Sequence, residues 1–270
     1  MNKSKNALIL GVSSGFGRAA ATELAGMGYN IYGIHMDFGT NKKNAELFSD
    51  ELRQTGVKVV FYNTNAADDI KRKDTIAAIK NELKDSDNPK INFMLHSLAF
   101  GAIGALIHED YEKQVTRRKM DMTMNVMANS LLYWTQDVLH EGMFAEQSRI
   151  IALTSAGSRG VMEGYGALSI AKCALEAYVR QLAVELAPYK ITVNALMPGT
   201  TDTPAGRAIP GFAEMLVYSK KKNPYKRVTL PEDVAKILAL LADERSYWIN
   251  GQIIGADGGE DVVNYPVEKI

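Results

Sequence analysis

The chain has 270 residues, 46% hydrophobic and 23% charged, with 31 basic residues, 31 acidic residues and a formal net charge of zero. That length supports a full hydrophobic core, and balanced charge gives no general attraction to nucleic acid or an anionic membrane. A single cysteine, Cys173, excludes an internal disulfide, and His35, His96, His108 and His140 are too scattered for a metal-spaced cluster. No metal site is expected.

The opening MNKSKNALILG is polar and then apolar for only four residues. Secretory signals and membrane helices need longer apolar runs. The expected location is therefore the cytoplasm, with neither membrane nor nucleic acid as a partner. No repeat, low-complexity stretch or linker interrupts the chain, so residues 1–270 are expected to form one domain.

Short apolar runs alternate with amphipathic stretches, as in a parallel sheet wound with helices. The runs are Ala7–Leu10, Ile31–Ile34, Val57–Tyr62, Ile91–His96, Arg149–Thr154, Ile191–Leu196 and Gln252–Gly255. The helical stretches are Gly15–Met27, Asn41–Thr55, Asp69–Leu83, Tyr111–Leu139, Glu163–Leu186 and Pro231–Ala242. Pro231 followed by Glu232 and Asp233 is a strong helix start. The pattern predicts an α/β fold, a single doubly wound domain with seven parallel strands and helices on both faces. Residues 203–229, with three prolines and two glycines, break the rhythm and read as an excursion covering substrate.

The first strand runs into GVSSGFG, holding Gly11, Gly15 and Gly17. Glycines here allow a tight turn and close approach to a pyrophosphate, beside a helix N-terminus that favours anions. At the end of the second strand stands HMDFG. Asp37 would repel a 2′-phosphate and favours NADH, whereas Lys42, Lys43 and Arg18 leave NADPH open, with Asp37 then a solvated turn residue.

The GxxxGxG turn resembles the fingerprint of the short-chain dehydrogenase/reductase family. So do Asn125 in MTMNVMANSLL, Ser155, Lys172, the PGTTDT run and the closing GQIIGADGG, over essentially the whole chain. The resemblance implies a Rossmann-type domain binding a nicotinamide dinucleotide. Gly11, Ser13, Ser14, Gly15, Phe16 and Gly17 would line the pyrophosphate and adenosine ribose. Asn65 sits where relatives often carry an adenine-contacting aspartate. Pro198, Gly199 and Thr203 belong to the run that ends at the nicotinamide.

The same resemblance assigns the chemistry to Ser155, Tyr165, Lys172 and Asn125. The usual tyrosine position, four before the lysine, is Leu168, and Tyr165 lies seven before Lys172. Seven helical residues turn through about 700°, so the phenol is expected on the lysine's face two turns away. Tyr165 would supply a hydrogen bond or proton to the substrate oxygen, and Lys172 would hold the nicotinamide ribose and make the phenol a better acid. Ser155 would bond the substrate oxygen, and Asn125 would hold a water that relays protons to Lys172. The Tyr-x6-Lys spacing and the stretch MLHSLAFG, with Ser97, Leu98 and Ala99 along the ribose, resemble enoyl-acyl-carrier-protein reductases. Ser155 departs from them, since many carry a second tyrosine there.

The expected activity is therefore NAD(P)H-dependent reduction of a small or carrier-bound enoyl thioester, with NADH favoured and fatty acid biosynthesis as the setting. Carbonyl reduction by the same residues is the alternative, and a cofactor-binding protein with little catalysis is a second. A homotetramer is expected by resemblance, joined through the Tyr111–Leu139 and Glu163–Leu186 helices. Phe212, Met215, Leu216 and Tyr218 would form one face of a lid. Lys220–Lys222 read as a solvated run, Met120, Met122, Met124 and Met127 as packing, and Cys173 as a buried structural thiol.

Overall fold

A computed structural model describes residues 4–84 and 86–264. Its strands are β1 (Lys5–Leu10), β2 (Tyr29–His35), β3 (Val59–Asn63), β4 (Ile91–His96), β5 (Phe144–Leu153), β6 (Thr192–Pro198) and β7 (Ile253–Ala256). All pair in parallel, in the order β3-β2-β1-β4-β5-β6-β7. The helices are α1 (Gly15–Gly26), α2 (Gly39–Arg53), α3 (Asp69–Leu83), α4 (Arg117–Met124), α5 (Ser130–His140), α6 (Gly166–Glu185), α7 (Pro204–Arg207), α8 (Phe212–Lys222) and α9 (Pro231–Ala242).

Alternation along each strand divides the core in two. Ala7, Ile9, Phe93, Leu95 and Ile151 meet α1, α2 and α9 through Ala21, Leu24, Phe48, Val234 and Leu238. Their neighbours Leu8, Leu10, Met94 and Ile150 meet α3, α5 and α6 through Ile79, Leu131, Trp134, Leu175 and Val179. Strand order reverses between β1 and β4, so the loops leaving the C-terminal strand ends open a crevice there.

Two helical expectations change. The Tyr111–Leu139 stretch is not one helix. It holds a single 3-10 turn at Tyr111–Lys113, and α4 then starts after Thr116, whose hydroxyl caps the Lys119 amide at 3.3 Å. Between α4 and α5 lies a π turn, Asn125–Asn129. Nor does α6 begin at Glu163: Gly164 has φ +69, a left-handed conformation that ends any helix, and Tyr165 becomes the residue preceding α6. The excursion after β6 is folded into α7 and α8. Thr203 and Pro204 start the first, and left-handed Gly211 (φ +72) introduces the second.

Candidate active site

The crevice forms a cleft of about 470 Å³. Its floor is the turn after β1, where Gly11 (φ +90) and Gly15 (φ +51) hold conformations open to glycine. A Cβ on Gly11 would lie 2.5 Å from the Ser97 carbonyl oxygen, so the turn presses against the chain leaving β4. Ser14 precedes α1 without capping it through its side chain, which leaves the helix's first amides open to an anion. Ser13, Ser14, Gly15 and Phe16 line the cleft. Gly17 does not, contrary to expectation. A Cβ there would overlap the Gly11 carbonyl oxygen, so this glycine packs α1 against the turn. The cradle fits a dinucleotide pyrophosphate.

At the end of β2, Asp37 lines the cleft and its Oδ2 lies 2.8 Å from Nδ1 of buried His35. Asn63 clamps the Asp37 backbone from both sides, accepting from its amide (3.0 Å) and donating to its carbonyl (2.8 Å). Of the three cations considered for a 2′-phosphate, Arg18 stacks on Phe48 and pairs with Glu51 at 3.4 Å, and Lys42 pairs with Glu46 at 3.9 Å. Asn65, Ser97, Leu98 and Ala99 also border the cleft, as do Pro198, Gly199 and Thr203 beyond them.

Three consecutive residues at the end of β5 organise the reacting groups. The Leu153 carbonyl accepts from Lys172 Nζ at 2.7 Å. The Thr154 hydroxyl donates to Glu176 Oε1 at 2.7 Å. The Ser155 hydroxyl oxygen accepts from the Gly157 amide at 3.2 Å and borders the cleft together with the Tyr165 phenol. Burial lowers the Lys172 pKa to about 8, opposed by the negative charge of Glu176. Burial raises the Tyr165 phenol, opposed by the neighbouring Ser155 hydroxyl.

The helical argument for Tyr165 needs correction too. Tyr165 caps α6 from outside with φ −93 and ψ 2, so its ring is placed by the preceding loop. Gly157 makes room for it: a Cβ there would sit 2.6 Å from Tyr165 Cε1. Leu168, one turn into α6, fills the cleft wall against Met127 and Ala171.

Asn125 does not join this group. It is exposed, lies outside the cleft lining and accepts from Asn129 Nδ2 at 2.8 Å. The π turn is the cause, since one extra residue rotates the chain by about 100°. Val126 and Met127 line the cleft instead. Beneath them, His96 Nε2 lies 2.7 Å from Ser130 Oγ, which itself donates to the Val126 carbonyl. His96 therefore donates through Nε2, and its buried Nδ1 has no partner. Burial and the charge of Lys172 hold its pKa near 3, so it is neutral. Cys173 is exposed rather than buried, one residue past the lysine on the outer face of α6.

The far wall comes from the excursion, through Ile209, Phe212 and Met215, while Tyr218 points outward. A side cavity of about 160 Å³ beside Ser155 and Tyr165 is bounded by Met162, Met197, Ile209 and Met215. Sequence reasoning missed Gly157, Thr154 and Glu176. Only Glu176 left a trace, as an acid four residues after Lys172. No group of metal-ligating side chains occurs among the described residues, and none of their helices is long and apolar enough to cross a membrane.

A family model described as enoyl-(acyl carrier protein) reductase matches residues 11–260. The chain is a short-chain dehydrogenase/reductase. It is 31% identical over 265 residues to the uncharacterized oxidoreductase YjdA of Bacillus subtilis, covering 96% of this chain and 97% of that one. It is 29% identical over 171 residues to the NADH enoyl-[acyl-carrier-protein] reductase FabI of Escherichia coli K12, a match spanning 63% of this chain and 64% of that relative. Among solved structures, the NADH enoyl-[acyl-carrier-protein] reductase of Aquifex aeolicus superposes with TM-score 0.84 at 22% identity, over 97% of this chain and 98% of that one. The angucycline C-6 ketoreductase LanV with bound NADP superposes with TM-score 0.83 at 25% identity, over 96% of each. The chain thus forms one Rossmann-type domain of a family of NAD(P)-dependent oxidoreductases, and its match spans about two thirds of the enoyl reductase of Escherichia coli.

Proposed function

We propose that this short-chain dehydrogenase/reductase uses NADH to reduce the carbon–carbon double bond of an α,β-unsaturated thioester. The observation carrying this reading is the Tyr165 phenol, set seven residues before Lys172 and directed into the cleft by the loop that ends at Gly164. The likeness to enoyl-acyl-carrier-protein reductases supports it.

The cofactor supplies the hydride. Gly11, Ser13, Ser14, Gly15 and Phe16 would hold its pyrophosphate against the N-terminus of α1, and Lys172 its nicotinamide ribose. Asp37, fixed by His35 and Asn63, would accept from the adenosine 2′-hydroxyl and repel a 2′-phosphate, which favours NADH. As the β-carbon is reduced, negative charge collects on the thioester oxygen. Tyr165, itself buried, would donate a hydrogen bond to that oxygen and stabilise the charge that develops there. Ser155, which borders the cleft beside the phenol, would bond the same oxygen. Ile209, Phe212 and Met215 would cover the acyl chain, carried by an acyl carrier protein or coenzyme A. The protein would act as a homotetramer in the cytoplasm, in fatty acid biosynthesis.

Carbonyl reduction is the second reading, favoured by one observation: Ser155 and Tyr165 border the cleft together and offer two hydroxyls to a substrate oxygen. Assays with crotonyl and acetoacetyl thioesters, each with NADH and NADPH, separate the two. Turnover of the crotonyl compound with NADH is expected. Turnover of the acetoacetyl compound alone would replace the first reading by the second.

A further inference from the structure

Glu176 has no part in the cofactor cradle or the substrate wall, yet it is a buried carboxylate, 7% exposed, one turn beyond Lys172 on α6. An isolated buried carboxylate is costly unless it is paired and hydrogen-bonded. Two hydroxyls satisfy one of its oxygens: Thr154 Oγ1 and Ser158 Oγ each donate to Oε1 at 2.7 Å. These donors come from the end of β5 and from the 3-10 turn after it (Ala156–Ser158), so the carboxylate is fixed between two elements that also frame the reacting groups.

We propose that Glu176 is a positioning residue that keeps Lys172 in its charged form at working pH, acting on the reaction only through the lysine. Lys172 must be an ammonium to donate to ribose hydroxyls while it also donates to Leu153. Its surroundings otherwise favour the neutral amine. On α6 the charged neighbour is Glu176. From β4 comes His96, which is neutral. From the loop before α6 comes Tyr165, whose burial keeps the phenol protonated. The π turn contributes Asn125 and Asn129, which carry no charge, and Asn125 is turned outward. Among the described residues, Glu176 stands one turn along α6 from Lys172, and its negative charge favours the ammonium. The role holds whichever double bond is reduced.

The test follows binding of the reduced cofactor by fluorescence from pH 6 to 10, without substrate, alongside kcat/KM. In the wild type, affinity is expected to fall as pH rises through about 8, where Lys172 loses its proton. In Glu176→Gln the fall should come at lower pH, by roughly one pH unit, a scale set by one nearby charge. At pH 8 that is a several-fold loss that grows with pH. Glu176→Asp, which keeps the charge, should return the profile toward wild type. In Lys172→Arg the fall should vanish, and adding Glu176→Gln should not restore it. A Glu176→Gln profile at the wild-type position would overturn the proposal even if the melting temperature dropped, because the carboxylate would then serve packing alone. Should Glu176→Gln fail to fold, Glu176→Met removes the same charge with an apolar side chain of similar length. It should move the profile the same way, and an unmoved profile would overturn the proposal equally.

Discussion

The Lys172 ammonium donates to the Leu153 carbonyl oxygen at 2.7 Å in a place that lowers its pKa to about 8. A free lysine titrates near 10.5. Below pH 8 both folded and unfolded chains carry this proton, and the full penalty of charging it in the fold stands, on the order of 3 kcal/mol. Between about pH 8 and 10.5 the unfolded chain binds more protons than the folded one, so this group's contribution to stability rises with pH. Lys172→Met removes the penalty and forfeits one hydrogen bond of about 1 kcal/mol. Calorimetry without cofactor should show a higher melting temperature for the variant at pH 7 and a smaller difference at pH 10, with activity lost. A lower melting temperature at pH 7 would contradict the burial argument.

Tyr165→Phe leaves ring packing intact and removes the phenol hydroxyl from the cleft. Steady-state rates should fall at least about 100-fold, the scale of general acid catalysis. Ser155→Ala removes the hydroxyl beside the phenol and the cap on the Gly157 amide, and should cost roughly tenfold. Near-normal turnover by the phenylalanine variant would mean that another group serves the substrate oxygen.

Gly157→Ala tests how the phenol is seated. The new methyl group would lie 2.6 Å from Tyr165 Cε1, so the ring must move. Turnover should drop by one to two orders of magnitude, in line with the cost of misplacing a reacting group by about 1 Å. Cofactor affinity, measured by fluorescence, should change far less. Equal losses in both would point to a general collapse of the loop.

Asp37→Asn keeps the shape of the β2 turn and removes the charge facing the adenosine ribose. The ratio of kcat/KM for NADPH to that for NADH should rise at least about tenfold, the effect of removing one repulsive charge near a phosphate. An unchanged ratio would assign the discrimination elsewhere.

Strand and helix alternation was readable because a sheet buried on both faces demands short apolar runs and amphipathic covers, as Ala7–Leu10 and α9 illustrate. Parallel pairing and the cleft at the strand ends followed from it. Helix limits were less readable, because left-handed glycines set them: Gly164 ends the chain's approach to α6, and glycine's sign of φ is not written in its neighbours. The cleft does hold Ser155, Tyr165 and Lys172 together, but Tyr165 reaches it from a loop rather than a helical face. Gly17 shows the same limit at another scale. It belongs to the glycine motif, yet it serves the approach of helix to turn, a contact that only the folded chain reveals.

The π turn at Asn125–Asn129 carries a consequence for how this architecture changes over time. A helix with one surplus residue is out of phase with itself: positions before and after the turn answer to different registers. Val126 faces the cleft while Asn125, its neighbour, faces outward. Losing a single residue there would swing the preceding segment by about 100° relative to α5 and exchange which side chain looks inward. An insertion or deletion of one codon, with no substitution anywhere, is thus the shortest route by which such a fold acquires or discards a polar group behind its lysine.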